Sequence, residues 1–515
     1  LSFNERVQLQ DNQLPIKSGD KTYLPFRFVM DNFKAIVKYE AKTGKIFAEH
    51  GIQKTEMKNG SDVFYVDDRD VTVKDGILLK NQTTYISTEA LEKVFGLLTA
   101  QRDGYVYVGY EKANDELFDE ADRLYSIKRE KELIYYVSPD GDDENSGEID
   151  SPFKTIEKAK LTVRQYLKEN EQDRDIVVCL RGGEYRLDEE LLFTPKDSGK
   201  NLFNIKYTAY DGENAKIIGS REINGWERYR GNIYRAYVGE GLRVDMFYEN
   251  GSIMTMARHP NYNSENSVKG HIKSLGFETQ TQDRVRFADG DFPHIYDCTD
   301  LEVNIWGRNG QMWFNHSIGV FEIDYVNNLL CLSHNVFENT GKDGMYFVQG
   351  TIELLDTEGE YCYNSKDGYV YVIPNGYTIE GKRYSMPTAE NVIKFGGTAD
   401  NKTVKNITVE NVEIMNTYRS DDAYEGMNGR GNGAGVMLSY AENITVKNCD
   451  IHDVGDDAVY ILDYVKNCKI RNNNMRNLGG GGISGISHTR RNVVIENRSM
   501  ENVMKQFFEL GANGA

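Results

Sequence analysis

Apolar and polar residues alternate in four segments near the C-terminal end of the chain. Such alternation is typical of a half-buried strand, and each segment carries an asparagine at a matching place: 407–414, 444–451, 465–470 and 494–500. Short apolar segments form a second series beside the first: 435–438, 458–461 and 482–485. The offset of roughly two dozen residues is typical of solenoid coils, which bury their apolar edges only by stacking. The pattern therefore predicts a mainly β solenoid.

The repeated asparagines predict a ladder inside this solenoid. Their side-chain amides would link one coil to the next and satisfy buried turn backbone. The side chains expected to superpose are those of Asn411, Asn448, Asn467 and Asn497. Cys449 and Cys468 would then lie one coil apart, where stacked thiols are the favoured interpretation and a disulfide is the alternative.

At the N-terminal end the pattern changes twice from a short strand to an amphipathic helix. The first change joins 22–25 to 26–33 and the second joins 84–87 to 88–95. This duplication, with its core sequence at 23–29, resembles the copper amine oxidase N-terminal-like module. The resemblance implies a small α+β domain over 1–110, of the kind found on secreted bacterial wall and carbohydrate-active proteins. It does not imply copper, because no histidine pair in this segment could hold the metal.

A charged segment, 111–131, follows this module and predicts a linker helix. Its apolar residues have helical spacing and are Leu117, Ala121, Leu124 and Ile127.

From residue 135 the pattern changes to a strand and a polar turn at 135–143. A helix is then predicted to open within 151–159, with Ser151 as N-cap and Pro152 at its first position. Strands at 176–180 and 192–195 flank the turn 181–185. This order resembles the opening of secreted right-handed parallel β-helix proteins, in which the helix covers the open end of the solenoid.

The middle of the chain predicts a β-rich insertion. Residues 244–251 have the pattern of a hairpin with an Asn-Gly turn, 256–261 follow, and strands are predicted within 353–363 and 368–374. These segments resemble the inserted module of β-helix glycoside hydrolases of family 141 and their relatives. The resemblance implies a right-handed parallel β-helix over 132–515 with an inserted β module at about 220–380.

Charge and hydropathy exclude two classes of protein. The 515 residues include 61 Lys+Arg and 80 Asp+Glu, for a net charge of −19, whereas general nucleic-acid binding needs clustered cations. No run of about 18 apolar residues occurs, so no membrane span is predicted. The chain opens at Leu1 without a charged-then-apolar leader, and we expect any secretion signal to have been removed.

Metal-binding residues are sparse. Six Cys follow no zinc spacing, and eight His leave little room for a histidine site. The oxygen-rich turns would favour calcium over other metals, but no acidic loop has the spacing of an EF-hand. We therefore predict neither a metal site nor a cofactor.

Glycoside cleavage requires two carboxyl groups across the scissile bond, one protonated and one ionised. In a solenoid such groups would come from turns that precede successive strands. Two clusters qualify, in the turns before 436 and 459: the first is Asp421, Asp422 and Glu425, and the second is Asp450, His452, Asp453, Asp456 and Asp457.

Asp456 and Asp457 are the foremost candidates. Glycines fill the matching turn of the next coil, at 479–482, so a pair of aspartates here asks for a reason. Neighbouring like charges keep one carboxyl group protonated at neutral pH. Because adjacent strand residues point to opposite faces, we expect one of the two to pair with a carboxylate of the neighbouring coil. The alternative is that these aspartates serve only local backbone hydrogen bonds.

The predicted site is completed by residues on the same outward strip, with Ser484 beside them. The predicted catalytic residues are Asp456, Asp457, Asp453, Asp422 and Glu425. The predicted substrate-binding residues are His452, Tyr460, Asp463, Asp421, His488 and Arg490. In the insertion, Trp306 and Trp313 are expected in the core, with a sugar platform as the alternative.

The family resemblance and the aspartate cluster favour a secreted bacterial glycoside hydrolase that acts on a plant or microbial polysaccharide. The N-terminal module would attach it to the cell wall. One alternative is a polysaccharide lyase on the same fold, with Arg258, Arg430, Arg490 or Arg491 acting on a uronate. Another is a non-catalytic cell-surface solenoid that binds glycans.

Overall fold

The computed structural model describes most of the chain in two compact units, Leu1–Glu130 and Lys131–Ala515. None of the helices described is long and apolar enough to cross a membrane. The residues described are 14–33, 35–102, 105–126, 130–262, 270–278, 282–306, 315–336, 342–399, 402–419, 433–485, 493–496 and 498–501.

In its described residues the first unit contains three antiparallel sheets and three helices. The strand-to-helix change forms at both expected places, and Ser87 caps the second helix by accepting a hydrogen bond from the Ala90 N–H at 3.1 Å. The helices are Phe26–Asn32, Thr88–Phe95 and, in the segment where a linker helix is expected, Asp115–Ser126. The strands, in sheet order, are Ile16–Ser18, Lys21–Pro25, Thr83–Ser87 and Ile77–Lys80; Ile36–Glu40, Lys45–His50, Gln53–Lys58, Val63–Val66 and Arg69–Thr72; and Leu98–Arg102 with Tyr105–Gly109.

The second unit is built on three parallel sheets, which we name A, B and C. Sheet A contains Leu133–Val137, Ile176–Leu180, Ile205–Ala209, Val404–Glu410, Ala441–Lys447, Lys469–Arg471 and Val494–Glu496. Sheet B contains Gly183–Arg186, Ala215–Ile218, Glu413–Met415, Asp450–Val454, Asn474–Leu478 and Ser499–Glu501. Sheet C contains Leu191–Phe193, Ile393–Gly396, Val436–Ser439, Val459–Ile461 and Ile483–Gly485.

The chain passes from sheet A to B to C and then returns to A, so that each circuit forms one coil. Apolar side chains of all three sheets point inward and form one core, because no coil can bury its own apolar edge. This arrangement confirms the predicted β-rich repeat. The hand of the coil stays a prediction.

A helix, Ile156–Glu169, packs against this core through Ile156, Ala159, Val163 and Leu167. It begins later than expected, because Phe153 and Ser151 make bridges with Val137 and Glu148 and are extended. The N-cap is therefore Thr155, whose hydroxyl accepts a hydrogen bond from the Lys158 N–H at 3.1 Å, and not Ser151.

Asparagines stack between coils in two ladders instead of one. The Asn448 amide donates to Asn411 Oδ1, and the Asn472 amide donates to Asn448 Oδ1, each at 3.1 Å. Asn467 does not join them. The register of sheet A places it at the other end of the strand, in line with Asn443, whose amide donates to Asn406 Oδ1 at 3.0 Å. All of these asparagines have positive φ, which short polar side chains tolerate best. Asn497 lies outside the described residues.

Cys449 and Cys468 are buried free thiols at opposite ends of sheet A. Cys449 follows the strand Ala441–Lys447, whereas Cys468 precedes the strand Lys469–Arg471. The two cysteines therefore do not stack as expected.

An inserted module interrupts the solenoid between Ile218 of sheet B and Ile393 of sheet C. It contains mostly antiparallel sheets with their own apolar core, and Trp306 is fully buried in it. The strands of two sheets are Ser220–Ile223, Tyr384–Pro387, Tyr248–Glu249 and Ser252–Ile253, then Glu227–Arg230, Ile233–Tyr237, Tyr369–Ile373, Glu360–Asn364 and Thr255–Met256. The third contains Arg258–His259, Lys342–Gln349, Glu302–Trp306, Asn315–Asp324, Leu329–Leu332 and Arg284–Arg286, with Ile272–Leu275 beside Lys342–Gln349.

Candidate functional site

Three aspartates occupy the corner at which one coil passes from sheet B to sheet C. Asp453 is the next-to-last residue of the strand Asp450–Val454, and Asp456 and Asp457 precede the strand Val459–Ile461. Their exposed fractions are 2 %, 4 % and 1 %. Carboxyl groups are rarely buried to this degree without a specific role or partner, so this corner is the candidate site. We call residues 453–457 the aspartate turn.

Asp453 has a backbone conformation that the register of sheet B repeats in neighbouring coils. Its φ is +50°, and the matching residues Asn416 and Asn477 have φ of +64° and +51°. One oxygen, Oδ2, lies 2.7 Å from His452 Nδ1. The other, Oδ1, accepts a hydrogen bond at 3.1 Å from the Ile253 N–H, which belongs to the inserted module. Asp453 therefore holds His452 and a hairpin of the insertion at one point.

His452 connects Asp453 to a carboxylate one coil away. Its Nε2 lies 2.9 Å from Glu413 Oε1, and Glu413 also accepts hydrogen bonds at 3.0 Å from Lys216 and from Asn214. We call Glu413, His452, Asp453 and Lys216 the His452 network. It spans three coils along the outward face of sheet B.

The hydrogen bonds of the network set the charge of His452 and of Glu413. Burial opposes the charged imidazole, but hydrogen bonds to Asp453 and Glu413 outweigh it, and the pKa of His452 is raised above its ordinary 6.5. Burial likewise opposes the Glu413 carboxylate, yet hydrogen bonds from His452, Asn214 and Lys216 lower the pKa of Glu413 to about 2. The network is therefore an ionic one at mildly acidic pH.

Sequence reasoning did not include Glu413 among the candidate residues. The available signal was its position: Glu413 occupies the sheet B register directly beside Asp450, two residues before the outward position that His452 occupies in the next coil. That signal becomes visible only when the offset between these two coils is known.

Asp456 and Asp457 both lean toward the next coil. The Gly481 N–H donates to Asp457 Oδ1 at 2.5 Å, and the Gly480 N–H donates to the Asp456 carbonyl at 3.0 Å. A methyl group placed on Gly480 would collide with Oδ1 of both aspartates. The expectation that these side chains point apart is therefore wrong, because both lie in a turn and not in a regular strand.

The matching turn of the next coil explains how two carboxylates fit here. Gly480 and Gly481 have no side chains that could occupy the space, and the residue in line with Asp457 in the preceding coil is Ala434. Small residues on both sides therefore form a cradle for the two carboxyl groups.

Two other predicted residues lie on sheet C. Tyr460 packs beside Met437 and Ala434 and is 3 % exposed, and it pairs in register with Ser484 of the next coil. Asp463 follows the strand Val459–Ile461, so it lies at the opposite end of that strand from the aspartate turn. The structure thus brings Tyr460 to the same strand as the aspartate turn and leaves Asp463 at another corner.

Some expectations concern residues outside those described, namely Asp421, Asp422, Glu425, His488, Arg490, Arg430, Arg491 and Trp313. Trp306 and Arg258 were also singled out from the sequence, and both are described. Trp306 lies in the core, as favoured. Arg258, a candidate for a lyase, is fully buried in the insertion with its guanidinium 3.4 Å from the centre of the Phe347 ring.

A small, shallow cleft of about 40 Å³ lies where the insertion meets the outward face of sheet B. Arg186, Lys216 and Arg383 line it together with Glu184, to which Arg383 donates two hydrogen bonds at 2.7 and 3.0 Å. The cleft adjoins the His452 network, because Lys216 belongs to both. Polar side chains of this kind can donate to sugar hydroxyls or carboxylates.

No group of three or more His, Cys, Asp or Glu side chains is placed to hold a metal ion in the described part of the chain. The expectations about calcium and cofactors stay predictions.

Comparison with known families finds two matches. The model described as copper amine oxidase N-terminal domain matches residues 3–104, and the one described as right handed beta helix region matches residues 360–515. No curated protein sequence matches the chain. The two families together cover the N-terminal module and the C-terminal coils.

Solved structures with a similar fold include one titled "Glycoside hydrolase", at 20 % sequence identity and a TM-score of 0.57, which covers 69 % of this chain and 68 % of that one. XylC in complex with xylose has 14 % identity, a TM-score of 0.35 and coverage of 73 % and 55 %. A lacto-N-biosidase of family GH136 from Eubacterium ramulus has 13 % identity, a TM-score of 0.26 and coverage of 75 % and 43 %. The first of these similarities shows a shared fold.

Proposed function

We propose that this protein is a glycoside hydrolase that cleaves a plant or microbial polysaccharide at the aspartate turn. The observation that carries the proposal is the placement of the Asp456 and Asp457 carboxyl groups side by side in the cradle of Gly480 and Gly481. The fold shared with a structure titled "Glycoside hydrolase" supports it. Resemblance to family 141, a right-handed coil and secretion by a bacterium are parts of the same proposal.

The chemistry follows from the closeness of two like charges. Two carboxyl groups that share one buried site retain a proton at a pH where an isolated group has lost it. One of the pair would then protonate the glycosidic oxygen as general acid. The second carboxylate, nucleophile or base, would come from the neighbouring coil, where Asp422 and Glu425 are the candidates.

In this proposal Asp453 and His452 are positioning residues. Asp453 already accepts hydrogen bonds from His452 and from the Ile253 N–H, so its oxygens are occupied. It would fix the turn that presents Asp456 and Asp457, and it would hold the insertion beside the groove. This role replaces the catalytic one proposed from the sequence.

The test is turnover of a panel of polysaccharides by Asp456→Asn and Asp457→Asn. We expect at least one variant to lose roughly a hundredfold or more in kcat/KM, which is the usual contribution of a general acid. Asp211→Asn, at an exposed turn between sheets A and B, is the matched control and should keep its activity. Unchanged turnover in both aspartate variants would remove the assignment.

A polysaccharide lyase is the second candidate, and the cations of the sheet B cleft favour it. A uronate carboxylate, which a lyase must neutralise before it removes a proton, would have to displace Glu184 from Arg186 and Arg383 or Glu413 from Lys216. Products with new near-ultraviolet absorbance would identify a lyase, and products without it a hydrolase. Attachment to the cell wall through the N-terminal module is a further part of the proposal.

A further inference from the structure

Four tyrosines form a continuous row across three neighbouring strands of the inserted module, Glu227–Arg230, Ile233–Tyr237 and Tyr369–Ile373. Ring centres of Tyr229 and Tyr371 are 5.1 Å apart, those of Tyr371 and Tyr369 are 6.3 Å apart, and those of Tyr369 and Tyr237 are 5.5 Å apart. We call these residues the tyrosine row. The register pairs Tyr237 with Tyr369 and Arg235 with Tyr371, so these residues share one face of the sheet. Tyr229 reaches the same face through its ring contacts with Tyr371 and Arg235.

The middle of the row is buried and its two ends are solvent-exposed. Tyr371 is 4 % exposed and packs into the apolar core of the module, whereas Tyr229 and Tyr237 are 42 % and 58 % exposed. Exposed aromatic rings cost free energy unless something covers them, and contiguous exposed apolar surface commonly marks a binding site. Tyr371 anchors the row, and the outer rings are presented on rigid strands.

Arg235 lies within the row. Its guanidinium is 4.4 Å from the centre of the Tyr369 ring and 5.1 Å from that of Tyr229, and its Nε donates to Glu227 Oε1 at 2.7 Å. A guanidinium held between two rings loses little freedom when it binds a planar anion. Arg235 also forms a hydrogen bond with the Tyr371 hydroxyl, so its charge is held in place beside the exposed rings.

The charge of the surrounding hairpin is opposite to that of the whole protein. Residues 227–237 contain Arg228, Arg230 and Arg235 against Glu227, in a chain whose net charge is −19. Asp367, in the turn before the strand Tyr369–Ile373, accepts a hydrogen bond from the Tyr371 hydroxyl at 2.6 Å. A cationic aromatic surface on an acidic protein is suited to an acidic ligand.

We propose that the tyrosine row and its arginines bind an acidic polysaccharide chain, separately from the aspartate turn. Sugar rings would stack on Tyr229 and Tyr237, and carboxylate or sulfate groups would meet Arg230 and Arg235. The choice of a glycan as ligand rests on the proposed function. The site itself is non-catalytic, so its binding can be measured without turnover.

The experiment is affinity electrophoresis of the full chain in gels that contain polygalacturonate, a sulfated galactan or a neutral galactan. We expect the unaltered protein to be retarded by one or both acidic polymers and to run freely in the neutral one. Tyr237→Ala, Tyr229→Ala and Arg230→Gln should each weaken retardation by roughly five- to tenfold. Tyr65→Ala, which removes an equally exposed tyrosine of the N-terminal unit, is the matched control and should change nothing.

Which acidic polymer retards the protein distinguishes a uronate ligand from a sulfated one. The proposal would be overturned if the tyrosine variants were retarded as strongly as the unaltered protein. Retardation only by the neutral polymer, or by none of the three, would also overturn it. Concentration-dependent self-association that Tyr237→Ala abolishes would also overturn it, since the row would then be a protein interface. Retardation is measured without turnover, so inactive aspartate variants would test only the proposed catalytic site and leave this experiment intact.

Discussion

Asp453 occupies a backbone position that asparagine fills in the coils on either side. All three residues have positive φ, which Asn and Asp tolerate better than other side chains because they form local hydrogen bonds. The aspartate adds a charge that the neighbouring asparagines lack, and that charge faces His452. A residue that looks like routine turn chemistry in the sequence is thus the link between the solenoid and the insertion.

The raised pKa of His452 predicts a pH-dependent contribution to stability. A raised pKa means that the stabilisation is complete below about pH 6.5 and is lost as pH rises through the folded-state value. The lowered pKa of Glu413 gives stabilisation that is complete above about pH 4.5 and is lost as pH falls toward 2. Both contributions are present together between these limits.

We therefore expect His452→Gln to reduce the free energy of unfolding by about 1–3 kcal/mol near pH 5.5 and by clearly less near pH 9. Urea denaturation of both proteins at the two pH values measures the difference. His334→Gln, at an exposed position, controls for the loss of an imidazole. A cost that is equal at the two pH values would show that the charge of His452 does not stabilise the fold.

Gly480 offers a second test at this scale. A methyl group there would displace the Asp456 and Asp457 carboxyl groups, so Gly480→Ala should cost about 1–3 kcal/mol of stability and at least tenfold in turnover. Gly319→Ala is the control, because its methyl would meet only the Ser333 side chain at an ordinary distance of 3.4 Å. If Gly480→Ala has the same stability and the same turnover rate as the unaltered protein, the cradle has no role.

At the scale of the element, hydrogen bonds at the corners of the coils connect neighbouring coils, as the hydrogen bonds between strands do. In the strand Ala441–Lys447, Asn443 near one end and Asn448 just past the other donate to asparagines of the coil before, and Asn472 donates to Asn448 in the same way. These amides satisfy one another and hold a left-handed backbone conformation at the same time. The ladders therefore fix the register of coils that apolar stacking alone would define less sharply.

Replacement of Asn448 separates these two contributions. Asn448→Gly keeps the positive φ of +55° and removes both ladder hydrogen bonds, for an expected loss of about 1–2 kcal/mol. Asn448→Ala loses the same bonds and adds the cost of a left-handed conformation, so we expect roughly 1–2 kcal/mol more. Chemical denaturation of the two variants measures the gap, and equal stabilities would argue against backbone conformation as a factor.

At the scale of the whole molecule, the two compact units have separate apolar cores. The first core lies within Leu24–Leu97 and the solenoid core within Val137–Leu478. Since neither core shares residues with the other, each unit has what it needs to fold by itself.

We therefore expect calorimetry of the full chain to show two transitions. A shortened chain that begins at Lys131 should keep the transition of the solenoid within a few degrees and lose the other. A single cooperative transition in the full chain, or a solenoid that fails to fold when shortened, would show that the units depend on each other.

Repeat spacing in the sequence was enough to predict the strands of the last coils, because alternation and turn residues are local features. It also predicted the Asn250-Gly251 hairpin turn, in which both residues have positive φ as this turn type requires. The position of the capping helix was nearly right, and only its first turn was misplaced. These features depend on neighbours in the chain and need no knowledge of register.

The register between strands of neighbouring coils could not be predicted in the same way. Ile205 pairs directly with Ile407, and the following coils are offset by 37 and then 24 residues, as in the links from Asn411 to Asn448 and from Asn448 to Asn472. A variable offset places Asn467 in a different ladder and brings Glu413 to His452. It also places Gly480 and Gly481 opposite Asp456 and Asp457.

The sequence by itself determined that this chain forms stacked strands with polar corners, because periodicity and turn propensity are properties of short segments. Only the tertiary structure decided which carboxylates share a site and which tyrosines form a row, because those contacts depend on register between strands that are distant in the chain. The aspartate turn and the tyrosine row therefore had to be located in three dimensions before either could be interpreted.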